Sequence, residues 1–309
     1  MTCHAPSSSV HPTQFTLLRH GQSTWNKAAR IQGSSDLSQL TDEGREQARR
    51  AAEHLSSLGW SDAIDAVWSS PLTRARQTAD IVLPSIRSPI SVRLNDALRE
   101  IDLYAFQGLA KDAVPDEFRD AYAAWKANPA EFEIDGHRPV VELWARAADA
   151  WRDLRAGAAD LSATSALVVA HNATNQALLC TAMGLPPSAF RKVLQSNAAV
   201  SRVSFPKADG DGVVIQCINR APESVADVVG KLKEEEGELL VISCGELALD
   251  GLGAEIAHHV VEADAATCDA IVRERLHVGR DDVTFASDDG GLTVFHGDRL
   301  IFFNQIPNR

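Results

Sequence analysis

Phe-Thr-Leu-Leu-Arg-His-Gly-Gln-Ser-Thr-Trp-Asn, residues Phe15 to Asn26, is an apolar run that breaks abruptly into Arg19, His20 and Gly21. Such a break predicts a buried strand delivering polar side chains to the rim of a sheet, where α/β proteins place their sites. Arginine offers a permanently charged planar fork for phosphate. Histidine offers a nitrogen that is neutral and nucleophilic near pH 7, and glycine a backbone that an anion can approach closely. Together they suit phosphoryl transfer to histidine. The plainer alternative for an isolated Arg-His-Gly is a strand end with a hydrogen-bonded His, so the reading depends on the rest of the chain.

Four further features bear on it. Ser69-Ser70-Pro71-Leu72-Thr73-Arg74-Ala75-Arg76-Gln77-Thr78-Ala79 follows the strand-like Ala63 to Trp68, and Leu98-Arg99-Glu100 precedes Tyr104-Ala105-Phe106-Gln107-Gly108. Leu167-Val168-Val169-Ala170-His171-Asn172 is a second apolar strand ending in histidine, and Asn26 comes shortly after His20. In this order, over about residues 13–222, the set resembles the histidine phosphatase superfamily, which includes the phosphoglycerate mutases. Three stretches also resemble its plant and algal 2-carboxy-D-arabinitol-1-phosphatase branch, which hydrolyses the phosphate monoester of a sugar acid that inhibits Rubisco. They are Leu98 to Leu109, Ile134 to Val140 with Glu142-Leu143-Trp144, and Ala170 to Ala173.

The resemblance implies a metal-independent phosphomonoesterase that needs no cofactor. His20 attacks phosphorus, while Arg19, Arg74 and His171 surround the nonbridging oxygens. Glu100 gives a proton to the leaving group and takes one from water. Ser23, Asn26 and Asn172 add neutral contacts; Asn172 departs from the glycine that many members place after the second His, as the plant branch also does. The implied partner is a small phosphorylated sugar or sugar acid, and the implied compartment the chloroplast stroma. Two alternatives stay open: a phosphoglycerate mutase that returns the phosphoryl group to product, and a sugar-phosphate-binding regulatory protein.

Composition narrows the field independently. At 309 residues and 45% apolar content the chain can bury one large core and a small one. A formal charge of −12 argues against nucleic acid or an anionic membrane as partner, so an anionic substrate needs a local cationic pocket. No stretch has the length of a membrane span. The five cysteines, Cys3, Cys180, Cys217, Cys244 and Cys268, are scattered without a C-x-x-C pair, which indicates neither a disulfide framework nor a zinc site and fits a reducing compartment. Residues 1–12 read as a polar, disordered terminus that lacks the apolar core of a secretory signal and the arginines of a plastid transit peptide. Oligomeric state is not indicated.

The order of elements predicts an α/β three-layer sandwich with a mainly parallel central sheet over 13–222. Ser23 to Ser38 reads as a loop, Thr41 as a helix cap followed by Asp42 and Glu43, and Pro71 as the first turn of a helix carrying Arg74. Ile90 to Leu94 reads as an edge strand. Residues 111–139 read as an insertion covering the site, where Lys111, Arg119, Lys126, His137 and Arg138 are candidates for a substrate carboxylate or hydroxyls. His137 and Arg138 are preferred. Val140 to Leu154 and Ala173 to Met183 have helical spacing, and Val200 to Phe205, Lys207 to Gly212 and Val213 to Ile218 make a closing hairpin.

Residues 223–309 read as a smaller α/β unit with an internal echo. Leu239 to Glu246 can be laid on Phe15 to Gln22, with Ser243 and Cys244 replacing Arg19 and His20. Leu292 to Phe295 with Leu300 to Pro307 can be laid on Val200 to Phe205 with Ile215 to Pro222. This suggests a shortened, degenerate second phosphatase-like unit; an unrelated small α/β domain is the competing reading. A cysteine phosphatase at Cys244 would need Arg six positions on, where Asp250 stands. Adjacent His258 and His259 cannot both face one metal.

Overall fold

The run from Phe15 to Leu18 is apolar on both sides, and the chain uses it as a central strand. The computed structural model describes residues 13–86, 89–206, 212–220, 239–244, 260–286, 292–296 and 299–305. The terminus at 1–12, most of the Lys207 to Gly212 turn, the linker before β7 and the pair His258 and His259 lie outside them. Strand β1 (Thr13–Arg19) pairs in parallel with β4 (Ser165–Ala170) and antiparallel with β5 (Val200–Phe205). Beyond β4 come β2 (Ala66–Ser69) and the two-residue edge β3 (Arg93–Leu94), both parallel.

Alternation along these strands splits the core into two faces. Leu17, Trp68 and Val168 pack with α5 (Pro139–Asp160) and α6 (Asn172–Ala182). Leu18, Val67, Leu167 and Val169 pack with α2 (Asp42–Ser57) and α3 (Thr73–Val82). Helix layers on both faces of a mainly parallel central sheet give the three-layer α/β architecture. Each fully buried Leu, Val or Phe in it contributes about 1.5–3 kcal/mol relative to exposure. The tryptophans of α5 belong to the core: Trp144 and Trp151 donate their indole N–H groups to Leu185 O at 2.9 Å and Leu178 O at 2.8 Å.

Three local expectations need correction. The Ser23 to Ser38 loop contains a one-turn helix, α1 (Thr24–Lys27), because Ser23 and Asn26 form a reciprocal capping box. Strand β2 begins at Ala66 rather than Ala63, since Asp65 is committed to the Thr164 and Ser165 backbone N–H groups at 2.8 and 3.1 Å. Of Ile90 to Leu94 only Arg93 and Leu94 pair with β2. Thr41 caps α2 as its chemistry requires, accepting from Gly44 N–H at 3.0 Å.

The sheet does not stop at β6 (Val213–Arg220), the partner of β5. It continues through β11 (Arg299–Gln305), β10 (Leu292–His296), β7 (Leu239–Cys244) and β8 (Val260–Ala263), while β9 (Val283–Phe285) adds to β6. Helix α7 (Ala265–Leu276) packs Cys268, Val272 and Leu276 into the same apolar cluster that holds α5 and α6. The order β8-β7-β10-β11 repeats β4-β1-β5-β6 with the same senses: parallel, antiparallel, antiparallel. The two series meet where Phe303 pairs antiparallel with Ile218, positions that the sequence echo lays on each other. No helix among the described residues is long and apolar enough to cross a membrane.

Candidate active site

Register brings the first chemical groups together. Arg19 lies opposite Ala170 and Ser69 opposite Val169, so the next residues, His20, His171 and Ser70, emerge side by side at the C-terminal rim of the parallel strands. The two imidazole rings are 5.1 Å apart at 62°. His20 is buried, with Nδ1 at 2.7 Å from Gly21 O. A carbonyl only accepts, so Nδ1 carries the proton and the neutral ring keeps its lone pair on Nε2. Burial foremost, then the charges of Arg74 and Arg19, holds the His20 pKa well below the ordinary histidine value. The same causes depress His171. Its Nε2 is 2.7 Å from Ser70 Oγ, and its Nδ1 is buried without a hydrogen-bond partner.

Two guanidinium groups flank the histidines, each held by backbone carbonyls. Arg19 donates to Gln195 O at 2.6 Å. Fully buried Arg74, second residue of α3, donates to Ser35 O at 2.8 Å and Gly33 O at 2.9 Å. Burial lowers both to about 10, offset by the charge of Glu100, so both remain cationic at neutral pH. The Nε of each is buried and unpaired.

Glu100 reaches the site from the loop after β3. Its Oε1 accepts from Ile101 N–H at 2.9 Å and from the Thr174 N–H and hydroxyl at 3.1 and 3.2 Å. Its Oε2 accepts from Ala173 N–H at 3.1 Å. The carboxylate thus sits on the N-terminus of α6, the helix that His171 begins.

These residues open into a cavity of about 390 Å³. Arg19, His20, Arg74, Glu100, Asn26 and Asn172 line it at the sheet. Helix α4 (Arg119–Ala127) and the segment before it cover it with Lys111, Tyr122, Trp125 and Lys126. Counting Arg30 and Arg191, six cationic side chains face one carboxylate, in a chain of net charge −12. The local cationic pocket required by that charge is present.

Other expected site residues are placed differently. Ser23 is fully buried behind Asn26, its hydroxyl between Asn26 Oδ1 at 3.0 Å and Gln32 Oε1 at 2.8 Å, and it does not line the cavity. His137 and Arg138 also stand outside it. His137 stacks on Tyr104 with ring centroids 4.3 Å apart and meets Glu142 at 3.0 Å, while Arg138 pairs with Glu131 at 2.7 Å. A tight turn at Asp135 and Gly136, both at positive φ, folds this end of the insertion back onto α5. Lys111 and Lys126, the less favoured candidates, line the cavity instead. Gly21 is required by another neighbour than an anion: a Cβ there would lie 2.1 Å from Gly44 O of α2, and its N–H donates to Thr78 Oγ1.

Sequence reasoning missed the loop from Arg191 to Asn197. Arg191 lies over the Trp125 ring at 4.8 Å and donates to Lys126 O at 3.0 Å, tying α4 down. Asn197 donates to His20 O at 3.0 Å. The only signal was Phe190-Arg191 standing beyond Pro187, which nothing in the local pattern connects to the site.

Comparison with known proteins places the fold. The model of the histidine phosphatase superfamily (branch 1) matches residues 15–220. A probable 2-carboxy-D-arabinitol-1-phosphatase of Arabidopsis thaliana is 46% identical over 229 residues, 71% of this chain and 45% of that protein. The 2-carboxy-D-arabinitol-1-phosphatase of Triticum aestivum is 39% identical over 234 residues, 75% of this chain and again 45% of that protein. The chain therefore spans under half the length of these plant relatives. Among solved structures, mycobacterial glucosyl-3-phosphoglycerate phosphatase in complex with VO3 matches with TM-score 0.54 and 28% identity, covering 62% of this chain and 92% of that one.

Proposed function

This chain belongs to the histidine phosphatase superfamily, and we propose that it hydrolyses the phosphate monoester of a small sugar acid, 2-carboxy-D-arabinitol 1-phosphate or a close relative of it, through a phosphohistidine on His20. The observation that carries the reading is the neutral, buried His20, its Nδ1 proton committed to Gly21 O and its Nε2 left as nucleophile beside Arg19, Arg74 and His171. The Nε2 lone pair forms a bond to phosphorus as the bond to the leaving oxygen breaks, and Glu100 protonates that oxygen. Glu100 then takes a proton from water, whose oxygen displaces His20, releasing phosphate and restoring the ring. The buried, unpaired nitrogens of Arg19, Arg74 and His171 are the kind of donor that the spreading charge of the phosphoryl oxygens satisfies.

Substrate choice rests on the second anionic group. Lys111, with its pKa lowered by burial and by Arg19, lines the cavity with Lys126 and Arg191 under the cap, so a phosphate ester that also carries a carboxylate finds cations at both ends. The names of the plant relatives point to the same substrate, and a role in Rubisco regulation in the chloroplast stroma is the part of this proposal that rests on the sequence resemblance. The test is phosphate release from 2-carboxy-D-arabinitol 1-phosphate, xylulose 1,5-bisphosphate, phosphoglycerates and p-nitrophenyl phosphate, with EDTA present. Preferred turnover of the sugar-acid phosphate, lost by about 10³-fold or more in His20→Ala, supports the proposal. Turnover of other esters alone discards the substrate. Slow hydrolysis that rises with a bisphosphorylated primer moves the assignment to a mutase.

A further inference from the structure

The loop that holds the cavity is itself held by the C-terminal unit. Both backbone groups of Leu300, on β11, face that loop: its N–H donates to Lys192 O at 2.7 Å and its C=O accepts from Leu194 N–H at 2.9 Å. Val193 between them is fully buried. A second tie runs through Asn219 at the end of β6, which accepts from Ser196 N–H and donates to Ile301 O at 2.9 Å. From this short segment come the Gln195 carbonyl on Arg19, the Asn197 amide on His20 O and the Arg191 strap over Trp125.

We propose that the C-terminal unit is an internal clamp: β11 sets the loop 191–197, and the loop sets Arg19, His20 and the cap, so that oxyanion affinity is linked to the ties that Leu300 and Asn219 make. Leu300 and Asn219 are positioning residues, since neither touches the cavity. The proposal takes from the functional reading only that Arg19 and His20 receive an oxyanion. Linkage is reciprocal, so an oxyanion in the pocket must tighten β11 as β11 tightens the pocket.

Two full-length variants cut the ties. Leu300→Pro removes the N–H that reaches Lys192, and Asn219→Gly removes the side-chain tie while keeping the positive φ of that residue. Val272→Ala, in the core of α7, is a control that destabilises the same unit without touching the loop. In both cut variants amide exchange is expected to rise at Ala198, Ala199 and Arg19, and inhibition by vanadate of p-nitrophenyl phosphate hydrolysis to weaken by about tenfold. In the control both stay within twofold of wild type while the melting temperature falls. In the wild type, saturating inorganic phosphate is expected to slow exchange at Leu194 and Leu300. Wild-type vanadate affinity and pocket exchange in the cut variants overturn the clamp, as does phosphate that binds without protecting Leu194 and Leu300. Wild-type protein that binds neither oxyanion overturns the functional reading instead, and the exchange data still decide the clamp.

Discussion

His20 and His171 are histidines that the fold keeps neutral, and His54, lowered to about 4 by burial and Arg220, is a third. Each binds a proton more readily in the unfolded chain, near pH 6.5, than in the native one. The stability that their neutrality represents is therefore intact above about pH 6.5 and is lost as pH falls below it. Thermal melts between pH 7.5 and 4.5 are expected to show that decline, shallower by about one proton in His54→Gln. The acid limb of kcat/KM, corrected for substrate ionisation, is expected below the ordinary histidine range, because protonated His20 is scarce there. Glu100→Gln is expected to cost about 10²–10⁴-fold on a sugar phosphate and far less on p-nitrophenyl phosphate, whose leaving group needs no proton. At this scale the sequence was most legible: Arg19, His20 and His171 stand at the ends of apolar runs, while Arg74 and Glu100 were expected from the family resemblance, and all five come together in the structure. Gln195 was not legible, because it contributes a backbone carbonyl from 176 residues away.

Helices and loops carry the next layer. Helix α2 approaches the His20 turn so closely that a Cβ on Gly44 would lie 1.9 Å from Gln22 O. Gly44→Ala is expected to destabilise the protein by about 1–3 kcal/mol and to lower kcat, measured by denaturant melts and by turnover. The cap makes a contrasting pair. Lys111→Ala is expected to raise KM by about tenfold or more for a phosphate ester with a carboxylate and to leave p-nitrophenyl phosphate unchanged, whereas His137→Ala, outside the cavity, leaves both unchanged. The insertion was recognisable from its loss of strand pattern and from Pro115 and Pro129. Which of its cations faced inward was not, because His137 and Arg138, just past the turn at Asp135 and Gly136, are taken up by Glu142 and Glu131, pairings that the spacing of the sequence does not reveal.

On the scale of the molecule, one apolar cluster runs from Phe15 through α5 and α6 to α7, β9 and Phe303. A core without a seam melts as one, so calorimetry is expected to give a single cooperative transition; two separated transitions would contradict the shared core. The alternating strands and helices made the three-layer sandwich readable over 13–222. The continuation of the sheet was not, since contacts between segments far apart in the chain, such as Asn219 to Ile301 across 82 residues, leave no periodic mark in it. That continuation changes how the surface can be approached. A hairpin strand such as β6 would ordinarily leave a row of backbone donors and acceptors open to any extended chain, a rail for aggregation or for trading strands with a twin. Here β11 and β9 already ride that rail. Among the described residues the continuous sheet ends at β3, two residues long, and at β8, four residues long, so strand addition has little purchase at β3 or along β6 and is displaced to the β8 edge.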